Sequence, residues 1–428
     1  MQDFEPFTGR QRYMLFILML VYACHLIDRT MVLVLLDPIK HEYGLSDTQL
    51  GLFSGFMFAA GTVVAALPLG TLADRRPRKS ILAVCIAIWS LMTLLCGAAW
   101  SYTSLLAMRF GVGAAEAGLQ PTALSMIADE VRAEKRGKAI AIVHVGSALG
   151  TLIGFVAGGW IASHMGWRSA LLIVGVPGLL LAVVVAVTLW EPTRQSAAET
   201  NAGHRGASAQ ALSTRDFFRT LWRDRALVHV VLGTVVLWLC TSSSSAWWAS
   251  FLIRSHGVPI AVVGMIMAGT AGFGGILGNF IAGTLSERVA HGRPDRLALM
   301  SVAGGIIYFP LSLITLMAGN LTLVVACLFF QMMAYYIIFT PAYSLAMGLA
   351  NSSIRGRTAA LMSMGATAIG YGLGSQIVGV LSDLLRPDLG IESLRYALII
   401  MMFTMLWAAA HFLAAWLKLR KRQRVATG

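Results

Sequence analysis

Residues 101–129 read S-Y-T-S-L-L-A-M-R-F-G-V-G-A-A-E-A-G-L-Q-P-T-A-L-S-M-I-A-D, and two charges, Arg109 and Glu116, stand inside an otherwise apolar run. Seven residues is close to two helical turns, so the pair shares one helix face, about 10 Å apart along the axis. An ion inside hydrocarbon is expensive and normally faces a bundle interior or a water-filled path. A second apolar run carries Asp28 and Arg29 side by side. A packing ion pair accounts for one such couple. Four ionisable residues in two spans exceed what packing needs and point to the polar centre of a transporter.

The rest of the chain agrees with a membrane setting. Of 428 residues, 57% are hydrophobic and 12% charged, with a mean hydropathy of +0.72; soluble domains carry about 25% charged residues. The apolar runs far exceed the 4–8 residues of a buried strand, which excludes a soluble α/β protein, and reach the roughly 20 residues that cross a bilayer. Spans are predicted near 13–35, 49–72, 80–99, 102–127, 138–162, 168–190, 227–251, 259–285, 297–318, 321–349, 357–382 and 394–417. The fold class is an all-α polytopic membrane protein with twelve transmembrane helices. The net charge of +13 comes from bases lying between spans rather than clustered on a folded domain, so nucleic acid is not an expected partner. The five cysteines, all in apolar stretches, lack metal-ligand spacing and read as small buried hydrophobes. No glycine string carries a phosphate-loop lysine, and no Ser–His–Asp set or His–Glu metal spacing converges. The expectation is therefore no enzyme and no cofactor, with a proton gradient as driving force. The start of the chain shows no cleavage site before the first span, which is expected to be retained.

Alternate connections set the orientation. Bases follow spans 2, 4, 6, 8 and 10 and fill the tail, including Arg75, Arg76, Arg78, Lys79, Arg136, Arg288 and Arg355. The other connections are nearly bare of Lys and Arg, so the positive-inside rule puts both termini in the cytoplasm. The longest inner connection, 191–226, separates two six-span bundles, 1–190 and 227–428. Its first part reads as a flexible linker. Its second, S-T-R-D-F-F-R-T-L-W-R-D-R, spaces Phe217, Phe218, Leu221 and Trp222 between arginines and suits a short amphipathic helix on the inner membrane surface, or a docking site for a partner. The halves echo one another: G-T-L-A-D-R-R at 70–76 returns as G-T-L-S-E-R at 283–288, and Pro121 with Arg136-Gly137-Lys138 returns as Pro341 with Arg355-Gly356-Arg357. Such duplication predicts paired six-helix bundles with pseudo-twofold symmetry whose relative rocking gives alternating access.

Counting 1.5 Å per residue, Asp28 and Arg109 lie roughly 13 and 10 Å below the outer ends of their spans, with Glu116 deeper. The Arg109 fork suits a carboxylate or phosphate. Burial favours the protonated form of a carboxyl and a nearby arginine the charged form, so Asp28 and Glu116 are the candidate proton carriers. His25 is either a third or a packing histidine. The second half offers Gln331, Tyr335, Tyr336, Ser244 and Trp247, a part-aromatic, part-hydrogen-bonding wall suited to an amphiphile; aromatic residues near span ends also serve as interface anchors. Glycines 146, 150, 154 and 158 make a smooth strip on span 5, for which glycine-rich span 8 is the expected partner. At the inner rim, Gly70, Asp74, Arg75, Arg78 and Lys79 form a charged turn, and Arg136 makes a comparable cluster with Asp129 and Glu130. Asp74 works against the positive bias, which marks a specific pair or helix-end contact.

The duplicated G-x-L-A-D-R turn at 70–79 resembles the major facilitator superfamily. Arg109 followed by G-V-G-A-A-E-A-G-L-Q-P, then I-A-D-E-V-R and R-G-K-A, with Asp28-Arg29 and G-W-R, resembles its Spinster group, strongly through residue 190 and loosely beyond. The resemblance implies an alternating-access carrier of a lysophospholipid or sphingoid-like lipid, with membrane lipids around it, acting as a monomer in a bacterial inner membrane. It places Asp28, Arg29, Arg109 and Glu116 in a central polar cluster, Glu116 or Asp28 taking the proton. It places Asp74 and Arg75 on the cytoplasmic gate, with Gly70, Arg78, Arg136, Glu287 and Arg288 around it. Two departures stand out: Glu287 occupies a position where the superfamily usually has aspartate, and G-V-G-A-A-E-A replaces G-x-G-E-A. Organic-anion symporters of the same superfamily share the D-R and a similar span 4, implying a small carboxylate as the alternative substrate. A multidrug-type efflux carrier is a further alternative.

Overall fold

The computed structural model describes residues 6–192, 213–291 and 293–427. Among them every regular element is helical, with no β-strand. Nine stretches among the described residues are long and apolar enough to cross a membrane. Two of these, Ala133–Thr188 and Arg355–Arg424, each hold two helices, and the 102–130 helix, broken after Glu116, adds one more. The twelve long helices are α1 (Gly9–Val34), α2 (47–75), α3 (Arg78–Gly97), α4 (102–130), α5 (133–165), α6 (167–188), α7 (Arg225–His256), α8 (260–290), α9 (Pro294–Met317), α10 (Leu321–Leu349), α11 (355–389) and α12 (Ser393–Thr427).

Most helices outrun their predicted spans because polar caps lie outside the apolar window. Thr8 and Gln11 form a capping box that starts α1, Ser101 and Ser104 start α4, and Asn320 caps α10; each satisfies N–H groups left open in a first helical turn. Gly166, at φ 81° and ψ 162°, separates α5 from α6, a backbone region that residues with a Cβ avoid. Wider π-helical turns interrupt α2 at Leu52–Phe56, α8 at Ala268–Phe273 and α11 at Ala366–Gly374. Such turns inside α-helices recur at functional positions. Of the 191–226 connection, residues 193–212 lie outside the described residues. The amphipathic segment is a helix, Thr214–Arg223, with Phe217 and Leu221 buried and Phe218, Trp222 and the arginines exposed.

The described residues fall into two compact units. One takes the residues up to Tyr43 and 57–192; the other takes Gly44–Phe56 and the residues from 213 onward. In the first, the face of the α5 glycine strip, for which sequence suggested α8, is taken up by α1. A Cβ on Gly146 would stand 2.0 Å from the Met19 carbonyl oxygen, and one on Gly150 2.3 Å from that of Ala23. Backbones this close require glycine. Sequence marks a smooth surface but not its partner, and α1 supplies the complementary backbone.

In the second unit, the first turn of α2 is fastened to α7 and α11. The Asp47 carboxylate, almost fully buried, accepts from Arg254 Nη1 at 2.9 Å on both oxygens and from Ser382 Oγ at 2.6 Å. The Asp383 carboxylate accepts from the backbone N–H groups of Asp47 and Thr48 at 3.0 and 2.7 Å, serving as an N-cap supplied by another helix. Ser54 and Ser375 hydroxyls meet one π-turn further along.

In the first unit, the helix Leu36–Tyr43 that follows α1 is held by a carboxylate clasp. Glu42 accepts from Trp167 Nε1 at 2.6 Å and from Arg168 Nε and Nη2 at 3.0 and 2.7 Å, and Arg168 also donates to the Gly97 and Ala99 carbonyls. Desolvation opposes the Glu42 charge, but the Arg168 and Trp167 bonds outweigh it and hold the carboxyl below the usual carboxylate range. A carboxyl depressed in the folded state stabilises fully above its unfolded pKa, about 4.3, and loses that contribution as pH falls through the folded value. Glu42→Gln is therefore expected to melt below wild type at pH 7, by less than about 1 kcal/mol because the clasp is solvent-exposed. The two melting curves should converge below about pH 4, measured by thermal unfolding of the purified proteins across pH.

Candidate functional site

Four helices of the first unit converge on the charges that the sequence singled out. Gly113 on α4 lies against the α2 backbone, where a Cβ would stand 2.0 Å from the Phe58 carbonyl oxygen. That approach brings the Phe58 ring to α4. The Arg109 guanidinium lies 4.9 Å from the ring centroid and that of Arg29, from α1, 5.0 Å. One benzene ring thus contacts two cations, each favoured by the ring quadrupole.

The acids sit beside them. Asp28 Oδ2 accepts from Thr93 Oγ1 of α3 at 2.5 Å, and Glu116, Arg109 and His25 are near enough to act on Asp28 electrostatically. His25 Nδ1 lies 3.0 Å from Glu116 Oε2. The approach is off the hydrogen-bond direction, so both Glu116 oxygens, Asp28 Oδ1 and Arg109 Nε are buried without a hydrogen-bond partner among the described residues. Asp28, Arg109 and Glu116 are 3%, 2% and 6% exposed. Buried, incompletely bonded ionisable atoms are costly, and a set of them on facing helices is a place where a proton or an anion is stabilised. The α4 helix breaks directly after Glu116, so that carboxyl stands at the end of a helical segment.

The candidates of the second half divide. Gln331 is fully buried on α10, with neither amide atom hydrogen-bonded among the described residues. One turn on, the Tyr335 hydroxyl accepts from Trp238 Nε1 at 3.3 Å, its ring stacks on Phe339 at 5.7 Å, and Tyr336 meets it edge-on at 4.9 Å. These three form one polar-aromatic face. Ser244 and Trp247 are fully buried elsewhere: the serine hydroxyl donates to the Cys240 carbonyl of its own helix, a common resting place for helical serines, and Trp247 Nε1 donates to the Ser375 carbonyl.

At the basic end of the first unit Arg78 is buried and bound on every side. It pairs with Asp129, donates to Glu191 Oε1 at 3.0 Å and Ser125 Oγ at 2.9 Å, and reaches the Pro192 carbonyl at 2.9 Å. Burial works against the Glu191 charge, but the N–H groups of Lys79 and Arg78 and the Arg78 guanidinium hold its carboxyl below the usual range. Arg136 donates to the Val131 and Ala128 carbonyls and closes the end of α4, the contact a cation makes at a helix C-terminus. Gly70 has open space around it; Arg75, Glu287 and Arg288 are exposed; the Asp74 side chain lies outside the described residues. No group of three or more His, Cys, Asp or Glu among the described residues is placed to hold a metal ion.

Sequence reading passed over Phe58, Thr93, Glu42, Glu191 and the Asp47–Arg254 pair. Thr93 carried a weak signal, a hydroxyl inside the apolar run L-M-T-L-L. Ser46 and Gln49 spelled a capping box, yet nothing local ties Asp47 to an arginine 207 residues away.

The chain matches the Major Facilitator Superfamily over residues 18–375. It is similar to an MFS-type efflux pump of Mycolicibacterium smegmatis, with 30% identity over 392 residues, 91% of this chain and 88% of that protein. It is also similar to protein spinster homolog 1 of Xenopus tropicalis, with 25% identity across 95% of this chain and 81% of that one. Among solved structures it resembles a bacterial homolog of the human lysosomal transporter Spinster, crystallised inward-facing and unoccupied, with a TM-score of 0.86, 26% identity and coverage of 97% and 99%. The chain belongs to the Major Facilitator Superfamily: it is a polytopic secondary-active transporter working through alternating-access conformations, closely related to the Spinster proteins, and not an enzyme.

Proposed function

We propose that the protein is a proton-coupled carrier of an anionic amphiphile, such as a lysophospholipid or sphingoid-like lipid. The observation that carries this reading is the pair of guanidinium groups on Phe58, the buried one of Arg109 and the partly exposed one of Arg29, beside buried carboxyls whose oxygens are not fully bonded. Arg109 and Arg29 supply planar forks for a phosphate or carboxylate head. When the head engages Arg109, one carboxylate of Asp28 or Glu116 is relieved of its cation and takes up a proton. His25, 3.0 Å from Glu116, is the group through which that proton enters or leaves. Gln331, Tyr335 and Tyr336 supply hydrogen-bonding and apolar contacts for the remainder of the substrate, an assignment that extends to Ser244 and Trp247 only if the carrier repacks during its cycle.

The same reading assigns six helices to each of two bundles, 1–190 and 227–428, joined by 191–226. It puts both termini in the cytoplasm of a bacterial plasma membrane and has the chain work as a monomer. Gly70, Asp74, Arg75, Arg78 and Arg136, with Glu287 and Arg288, form the cytoplasmic gate. Arg78 holds its own bundle together there, while exposed Arg75 and Arg288 are free to meet carboxylates as the gate closes.

Reconstituted protein separates coupling from binding. Glu116→Gln should retain substrate exchange without a gradient and lose accumulation driven by a pH gradient at least tenfold, whereas Arg109→Ala should fail in both. Accumulation at the normal rate and pH dependence by Glu116→Gln contradicts the assignment of the proton to this carboxyl. Phe58→Leu should weaken binding of the anionic amphiphile about five- to tenfold by removing the ring that holds two guanidinium groups. Phe58→Trp should restore it, measured by direct binding in detergent.

A further inference from the structure

A groove of about 770 Å³ lies between α2, α3 and α4 of the first unit, and none of the central charges lines it. Its floor is small residues, Gly111, Ala114 and Ala115, and its walls are aliphatic, with Val64, Leu72, Val84 and Ile88 exposed. The polar character gathers at one end, where the exposed Arg76 and Ser80 line it. From Val64 to Arg76 is twelve residues, or about 18 Å of helix, close to half of the ~30 Å hydrocarbon core of a bilayer. The groove is therefore as long as one leaflet is deep, apolar over that length, and cationic at the end where a headgroup would sit.

We propose that this groove is a binding site for one anionic phospholipid of the leaflet at the basic end, its acyl chain along the Gly111–Ala114–Ala115 floor and its phosphate on Arg76. Apolar contact alone gives little selectivity in a membrane, because neighbouring lipid tails are as apolar as the groove. The small-residue floor supplies shape, and Arg76 supplies the choice of headgroup. A basic side chain at the membrane surface favours an anionic over a zwitterionic lipid by about five- to tenfold. The site shares no residue with the central cluster or with the gate assigned above, so it stands whether or not the proton-coupled reading holds.

The test uses the full chain in phosphatidylcholine nanodiscs doped with phosphatidylglycerol or phosphatidylcholine bearing a photoreactive acyl chain. Cross-links are mapped by peptide mass spectrometry. Wild type should label groove residues of α2 and α3 about five- to tenfold more with the glycerol headgroup. Arg76→Gln should abolish that preference while still labelling, Arg76→Lys should keep it, and Val84→Trp, at an exposed wall position, should reduce labelling by both lipids. Equal labelling of the groove by both headgroups in wild type, or an undiminished preference in Arg76→Gln, overturns the proposal. So does displacement of the labelled lipid by glycerol phosphate at equal concentration, since that would assign the Arg76 end to a soluble anion.

Discussion

Two guanidinium groups share one phenyl ring in the middle of a membrane protein. Arg29 and Arg109 come within 5.0 and 4.9 Å of the Phe58 centroid, and Arg109 is almost fully withdrawn from solvent. An isolated cation at that depth is so costly that the surrounding fold has to answer it. Asp28, Glu116 and His25 answer part of it. The α2–α4 approach at Gly113, which allows no side chain, brings the ring within reach. Thr93 orients Asp28 from a third helix, and the α1–α5 glycine strip fixes the helix that carries His25, Asp28 and Arg29. Close backbone packing in this unit therefore serves electrostatics: without it the charges would not be near enough to offset one another.

The ends of the helices are managed by different chemistry. Arg78 with Asp129 and Glu191, Arg168 with Glu42, Arg422 with Asp224 and Arg254 with Asp47 are ion pairs whose members lie outside the apolar centre of each helix. Their carboxylates each accept at least one hydrogen bond from the arginine they pair with, in contrast to the unbonded oxygens of Glu116. Satisfied pairs fasten structure, and unsatisfied buried ones are available for exchange. This contrast separates the central cluster from the rims better than charge alone does, since all are arginine–carboxylate arrangements.

The sequence showed the twelve helices and the central ions for the same reason: both follow from the cost of polar groups in hydrocarbon, which leaves its mark residue by residue. What depended on partners distant in the chain was not legible. The glycine strip announced a smooth face, but its placement on α1 required the backbone of Met19 and Ala23. Phe58 looked like any aromatic in an apolar run. Asp47 lies just ahead of the predicted span 49–72, and its pairing with Arg254 and Ser382 comes only from the packing of the first turn of α2 on α7 and α11. Nor does sequence tell where the Ser244 hydroxyl turns: it donates to the Cys240 carbonyl of its own helix.

The central claim is that an anion arriving at Arg109 and a proton arriving at Asp28 or Glu116 are linked events. Linkage of this kind is measurable without transport, because coupled binding must exchange protons with the solvent. Calorimetric titration of the purified protein with lysophosphatidylglycerol, repeated near pH 7 in two buffers of different ionisation enthalpy, reads the proton count directly. The account predicts different binding enthalpies in the two buffers, corresponding to proton uptake, and identical ones in the Asp28→Asn/Glu116→Gln double variant. Equal enthalpies in both buffers for a wild-type protein that binds the ligand would contradict it.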